Sequence, residues 1–217
     1  MAEPKLIPNQ YATQNPAIAS YDYNEIAENT GIVHFYGAAT ETNSSTNYIL
    51  TKNPFFGSPQ ETVEVVGPGQ SADIDLDFYT LPFNVGKTLR GKAILDISIR
   101  GSNQGGGTGG AATIYCKLQR WDGTTATDIT SEIQSPATQG GGTYFLSTAM
   151  EFDITQTRIS QGDQIVLHIR SSTVSGTSSN NSIAVAHDPT NSDGATFTDS
   201  ATNHTSLNLY LPFRLEF

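Results

Sequence analysis

Alternation of apolar and polar residues is the dominant pattern of this chain. In residues 73–78 every second residue is apolar and each residue between is an aspartate. The same alternation recurs in residues 92–100, 113–121, 144–154 and 207–217. A period of two is typical of a strand with one buried face. No segment has an equally clear helical period, and the nearest helix candidate is residues 21–27, so the chain is predicted to be all-β.

Shorter strands and turns complete the predicted fold. Strands are expected at residues 32–36, 48–51, 62–66, 127–133, 165–169 and 183–187. Asp122-Gly123 predicts a tight hairpin turn, because glycine adopts positive φ without strain. Gly-, Ser- and Asn-rich loops are expected at residues 101–110, 139–142 and 171–181. About ten strands favour a single antiparallel β-sandwich, jelly-roll-like, over residues 21–217.

Residues 1–20 are interpreted as an extended N-terminal arm. Pro4, Pro8 and Pro16 exclude a regular helix there. An arm of this kind either lies across a neighbouring subunit or is a frayed terminus. Both alternatives remain open from the sequence.

The only cysteine is predicted to be a core residue. Cys116 alternates with Ile114 and Leu118 on the inward face of one strand. A single cysteine excludes an intrachain disulfide, and a nucleophilic role would need a nearby base.

The net charge of the chain limits the kinds of partner that it is expected to bind. The net charge is −10, so phosphate backbones and anionic membranes would repel the chain. The apolar runs are also too short to span a bilayer. We therefore expect neither nucleic acid nor membrane as a partner.

Carboxylates suggest two weak candidates for a calcium site. Asp73, Asp75 and Asp77 share a strand face, but residues two apart are about 6.5–7 Å apart along a strand, too far to hold one ion unaided. A solvated or intersubunit face is the favoured interpretation. Four more oxygen ligands lie in residues 188–204, where turn formation is favoured over calcium binding; they are Asp188, Asn191, Asp193 and Asp199.

Other motifs do not predict a catalytic, cofactor or metal site. The histidines lack metal-ligand spacing; they are His34, His168, His187 and His204. The glycine clusters at residues 105–107 and 140–142 are not phosphate loops, and no nucleophile elbow is present. A carboxylate pair for glycoside hydrolysis stays open, since such a pair is spatial. The expectation is a chain that is not an enzyme and needs no cofactor.

Two aromatic residues are predicted to face outward. Tyr115 and Trp121 share the polar face of one strand. They could stack on sugar rings, as in carbohydrate-binding modules, or be covered by a neighbouring subunit.

The composition and the N-terminus together suggest a virion protein. The chain is rich in neutral polar residues, with only 15% charged residues, and residues 1–8 lack the features of a signal peptide. The expected location is therefore the virion, after synthesis in a host cytoplasm.

Several stretches resemble virion structural proteins of tailed phages, particularly small β-sandwich head or tail components. They are residues 19–37, 117–123, 160–163, 186–189 and 211–213. The resemblance implies a non-catalytic capsid-associated subunit, such as a decoration or vertex protein, that binds the major capsid protein or copies of itself as a homo-oligomer. The alternatives are a tail component and a carbohydrate-binding or receptor-binding module.

Overall fold

The computed structural model describes most of the chain. The described residues are 30–42, 45–52, 60–66, 73–103, 112–136, 143–173, 181–187 and 207–214. The arm at residues 1–20, the helix candidate at 21–27 and the polar stretch 188–204 lie outside them. So do the loop at 139–142 and most of the loops predicted at 101–110 and 171–181.

The prediction of an all-β fold is confirmed, with strands forming nearly all of the described chain. The strands are β1 (Thr30–Thr42), β2 (Ser45–Thr51), β3 (Gln60–Val66), β4 (Asp73–Thr80), β5 (Lys87–Asn103), β6 (Ala112–Trp121), β7 (Ala126–Asp128), β8 (Ile133–Gln134), β9 (Thr143–Ile159), β10 (Gln164–Thr173), β11 (Asn181–His187) and β12 (Leu207–Arg214). The strand expected at residues 127–133 is split into β7 and β8. No helix of the described residues is long and apolar enough to cross a membrane.

One continuous hydrogen-bonded path links the strands. Its order is β3-β11-β5-β12-β1-β2-β4-β10-β6-β7, with β8 on β6 and β9 on β5. β9 covers one edge of β5, while β12 and β11 follow each other along the opposite edge. All pairings are antiparallel except β2 with β4, where Ile49 and Leu50 pair in parallel with Tyr79 and Thr80. The predicted antiparallel sandwich therefore has one parallel junction.

Side chains from the inward faces of the strands form one core. Its largest fully buried members include Phe78, Phe152, Leu95, Ile97, Leu118, Ile165 and Leu167. Cys116 lies among them, fully buried, and burial raises the pKa of its thiol. The alternation of the sequence is reproduced in β4, where residues 74, 76, 78 and 80 are buried. Packing of these faces supplies the main stabilisation of the fold.

The predicted turn after β6 is also present. Gly123 has a φ of +97°. The Asp122 carboxylate accepts hydrogen bonds from the backbone N–H groups of Thr124 and Thr125, at 2.9 and 2.8 Å. These bonds lower the pKa of Asp122. The connection spans four residues, 122–125, because the carboxylate closes a longer turn than a two-residue hairpin.

A side chain of β12 packs tightly against a glycine of β1. A Cβ placed on Gly37 would lie 2.0 Å from Cδ2 and 2.6 Å from Cγ of Leu207. Leu207 is fully buried, so it has no room to move away. Glycine at this position therefore leaves room for the Leu207 side chain beside β1.

We predict that Gly37→Ala destabilises the fold by about 1–3 kcal/mol, the usual cost of overpacking a core. Chemical denaturation would measure the loss. Leu207→Ala alone should cost about 2–5 kcal/mol by leaving a cavity. The double variant should lose less free energy of unfolding than the sum of the two single losses, by at least about 0.5 kcal/mol. The reason is that the alanine at 37 occupies space freed at 207. Strict additivity would contradict the contact.

Candidate functional site

The outer face of β4, β10 and β6 carries a row of charged side chains. In register, His168 lies between Asp77 on β4 and Lys117 on β6. Its Nδ1 is 2.8 Å from Oδ1 of Asp77 and 3.6 Å from Oδ1 of Asp75. Lys117 in turn lies 3.1 Å from Asp128. Acidic groups on β4 and β7 thus flank the basic side chains of β10 and β6.

A second row of polar side chains lies two residues further along β10, on the same face. Arg170 donates from Nε and Nη2 to the Glu132 carboxylate at 2.7 and 2.5 Å. This two-pronged bond lowers the pKa of Glu132 and raises the pKa of Arg170. The same guanidinium stands 4.1 Å from the ring centre of Tyr115, within cation–π range. Arg170 therefore joins β10 to β6 and to the segment before β8.

Two further groups extend the network. Gln119 donates to Asp128 at 2.7 Å, and this bond, with that from Lys117, lowers the pKa of Asp128. Partial burial raises the pKa of Tyr79, and the charge of Asp77 adds to the shift. The charges of this face are largely satisfied by one another.

The aspartate row does not form a built cation site. Asp75 and Asp77 approach His168, while the side chain of Asp73 is exposed. In the part of the chain that the structure describes, no group of three or more His, Cys, Asp or Glu side chains is placed to hold a metal ion. The stretch with Asp188 to Asp199 lies outside that part.

The histidines are separated in space. His34 bonds Asn208 on the outer face of β1 and β12, at 3.1 Å. His187 is 2% exposed and meets the rings of Tyr48 and Phe78. His168 lies on the charged face, and His204 is outside the described residues.

The predicted outward aromatics do not form an open platform. Arg170 lies over the ring of Tyr115, and Trp121 meets Tyr79 edge to face at 6.5 Å and 82°. Sequence reasoning missed another group of rings. His34 stacks on Tyr210 at 4.4 Å and contacts Tyr36 at 4.0 Å, on the outer face of β1 and β12. These rings cover one another, because they stand side by side across the strand pair.

An apolar end of the molecule was also missed. Of the four large hydrophobic side chains exposed among the described residues, three lie there: Ile32 (60%), Leu81 (82%) and Val85 (65%). Two adjoining depressions of about 480 and 430 Å³ share Lys52, Phe83, Val85 and Lys87 in their walls. We call this region the apolar end.

The loop that presents these side chains is firmly held. The Phe83 N–H donates to the Asp163 carbonyl at 2.9 Å, and the Gly162 N–H donates to the Phe83 carbonyl at 2.8 Å. The Phe83 ring also packs 5.8 Å from Phe213 of β12. Leu81 and Val85 are therefore exposed on an anchored loop, not on a frayed one.

The apolar end has a basic rim. Lys52, Lys87 and Arg214 line it and are exposed, whereas its described lining contains no acidic residue. In a chain of net charge −10 this is a local reversal of sign. A sequence signal did exist: residues 81–86 (LPFNVG) place apolar side chains in a connection, and residues 32–36 are apolar on both faces.

Comparisons with known proteins show a shared fold but no family. No protein-family model and no curated sequence matches the chain. An aminopeptidase from the marine sediment archaeon Thaumarchaeota archaeon superposes with a TM-score of 0.56 at 9% identity, over 86% of this chain and 37% of that one. A CocE/NonD family hydrolase from Staphylococcus aureus gives 0.50 at 10% identity, over 85% and 36%. The chain thus spans little more than a third of these hydrolases.

Weaker likenesses include a virus and a carbohydrate-binding module. Infectious bursal disease virus, Gt strain, gives a TM-score of 0.24 at 13% identity, over 82% of this chain and 42% of that one. A module specific for non-crystalline cellulose, CBM28, gives 0.31 at 11% identity, over 70% and 77%. These scores are too low to carry an argument. The resemblance to virion proteins of tailed phages stays a prediction from the sequence.

The prediction that the chain is not an enzyme is wrong as an inference from missing motifs. The hydrolases named above contain the same fold. The missing motifs misled because a fold does not fix a function, and catalytic groups can be assembled in space. At 9–10% identity the comparison shows the fold alone.

We predict that the Glu132–Arg170 pair makes stability depend on pH. Because the folded-state pKa of Glu132 is lowered, the pair stabilises the fold above the ordinary glutamate pKa of about 4.3, and this contribution is lost as the pH falls through the lowered value. Glu132→Gln should therefore reduce the free energy of unfolding more at neutral pH than in acid. The effect should be small, since both side chains are partly exposed.

Urea denaturation at several pH values would measure this difference. Arg170→Gln is the matched variant and should remove the same pH-dependent part. In the pH-dependent part of its stability, the double variant should lose little beyond either single one. A loss that is equal at neutral and acid pH would contradict the interpretation.

Proposed function

We propose that this chain is a structural subunit of a virus particle, held to neighbouring proteins of the shell through the apolar end. The observation that carries the proposal is the exposure of Ile32, Leu81 and Val85 around two depressions that share Val85, with the last two on an anchored loop. Apolar side chains grouped in this way gain free energy when a partner removes them from water. The basic rim adds a preference for an acidic partner surface.

The charged face supports a different role. Its acidic and basic groups already bond one another, as in the pairs of Arg170 with Glu132 and Lys117 with Asp128. A partner would have to replace these bonds, so the face offers solubility more than affinity. The aromatic platform expected from Tyr115 and Trp121 is covered or edge-on, which weakens the carbohydrate-binding alternative.

The composition fits assembly into a shell. The chain has few charges and many neutral polar residues, which can bond a neighbour without burying charge. Weak contacts repeated over many copies also give a tightly held lattice. A location in a capsid, as a decoration or vertex protein, would use both properties.

Mass spectrometry of virus particles purified from the source of this sequence tests the proposal. We expect the chain in the particles at a fixed copy number. A second arm compares particles formed with Leu81→Asp/Val85→Asp and with Thr127→Asp, an exposed control on β7. The apolar-end variant should fold, as judged by circular dichroism, but be depleted from particles at least about tenfold, equivalent to about 1.4 kcal/mol.

Two results would overturn the proposal. One is absence of the chain from purified particles. The other is incorporation of the apolar-end variant at the level of the Thr127→Asp control.

A second candidate function is a module of a larger hydrolase. It is favoured by the fold likeness to the aminopeptidase, which covers 86% of this chain and 37% of that one. The closest carboxylate–histidine pair among the described residues is Asp77 with His168, whose other neighbour in register is Lys117. Hydrolysis of ester and aminoacyl substrates that His168→Ala abolishes, with unchanged melting temperature, would favour this candidate.

A further inference from the structure

The lining of the apolar end specifies its occupant. Ile32, Leu81 and Val85 favour apolar side chains on the occupant. The rim of Lys52, Lys87 and Arg214 favours acidic side chains on the same occupant, placed between its apolar ones. An occupant must therefore be both apolar and acidic, without cations.

One segment of this chain has that composition. Residues 17–29 read AIASYDYNEIAEN, with three acidic residues and no lysine or arginine. The acidic residues are Asp22, Glu25 and Glu28. Apolar and aromatic residues alternate with them; they are Ile18, Tyr21, Tyr23 and Ile26.

We propose that the apolar end of one copy of this chain binds residues 17–29 of a second copy. The proposal rests on the proposed function and names the partner that the apolar end would have in an assembly. It concerns a contact between copies, so it can be tested on the purified chain without a particle.

The position of β1 places the junction with this segment at the apolar end. Residue 29 joins Thr30, which pairs with Arg214, and the next residues, Gly31 and Ile32, line the apolar end. In an assembly, the segment of one copy meets the cleft of another, so the proposed function favours exchange over binding within one copy. Mutual exchange between two copies gives a closed two-fold pair with two identical contacts.

Charge reversal with mixing tests the exchange on the full-length chain. The first variant is Asp22→Lys/Glu25→Lys/Glu28→Lys, and the second is Lys52→Glu/Lys87→Glu/Arg214→Glu. Each variant alone has like charges on segment and cleft, so it should associate at least about tenfold more weakly than the native chain. An equimolar mixture pairs each reversed element with its complement and should restore association.

Analytical ultracentrifugation over a range of concentrations and salt would give the dissociation constants. Arg90→Glu/Lys92→Glu/Arg158→Glu is the matched control, since it makes the same charge change at exposed cations outside the cleft lining. The control should associate like the native chain. Added salt should weaken native association by screening the rim.

Three results would overturn the inference: a native chain that stays monomeric, single variants that associate like the native chain, or a mixture that fails to recover. Binding of the segment to its own copy would appear as the first result, with residues 81–87 protected from hydrogen exchange. If the chain is present in particles but does not self-associate, the inference fails and the proposed function stands. If copies exchange segments but the chain is absent from particles, the proposed function fails and the contact stands.

Discussion

The insertion of β12 between β1 and β5 is the constraint on which the rest of the structure depends. Both backbone edges of β12 are used, one by β1 and the other by β5. Its inward side chains Leu207, Leu209 and Leu211 are fully buried. Strands from the beginning and the middle of the chain therefore join in one sheet only through its last described strand. The absence of a side chain at Gly37 leaves the space that the buried Leu207 side chain of this strand occupies.

The same strand builds the apolar end. Phe213 supports the ring of Phe83, and Arg214 stands on the basic rim while pairing with Thr30 at the start of β1. The turn at residues 160–163 holds the other side of the loop. Core packing and exposed apolar surface are thus parts of one arrangement. A change that loosens β12 should disturb both together, since Phe213 and Arg214 of this strand line the apolar end.

Side-chain periodicity predicted most of the fold, because alternation records which face of a strand is buried. It placed the inward residues of β4, β5, β6 and β10 correctly, and with them the burial of Cys116. It could not predict pairing, since backbone hydrogen bonds between distant strands leave no local pattern; the parallel contact of Ile49 with Tyr79 is an example. The apolar end was missed for a related reason. Leu81 and Val85 lie in a connection, where no period distinguishes an exposed apolar residue from a buried one.

Fold and surface carry different information about this chain. The fold is shared with parts of hydrolases, so it permits catalysis without identifying it. The surface has two kinds of region, which differ in whether their side chains already have partners within the chain. On the charged face, Arg170 binds both Glu132 and Tyr115, which leaves a partner little to gain. At the apolar end, Leu81 and Val85 remain in water on an anchored loop. Burial of such side chains lowers the free energy without breaking existing bonds, so this end, more than the charged face, is where binding is favoured.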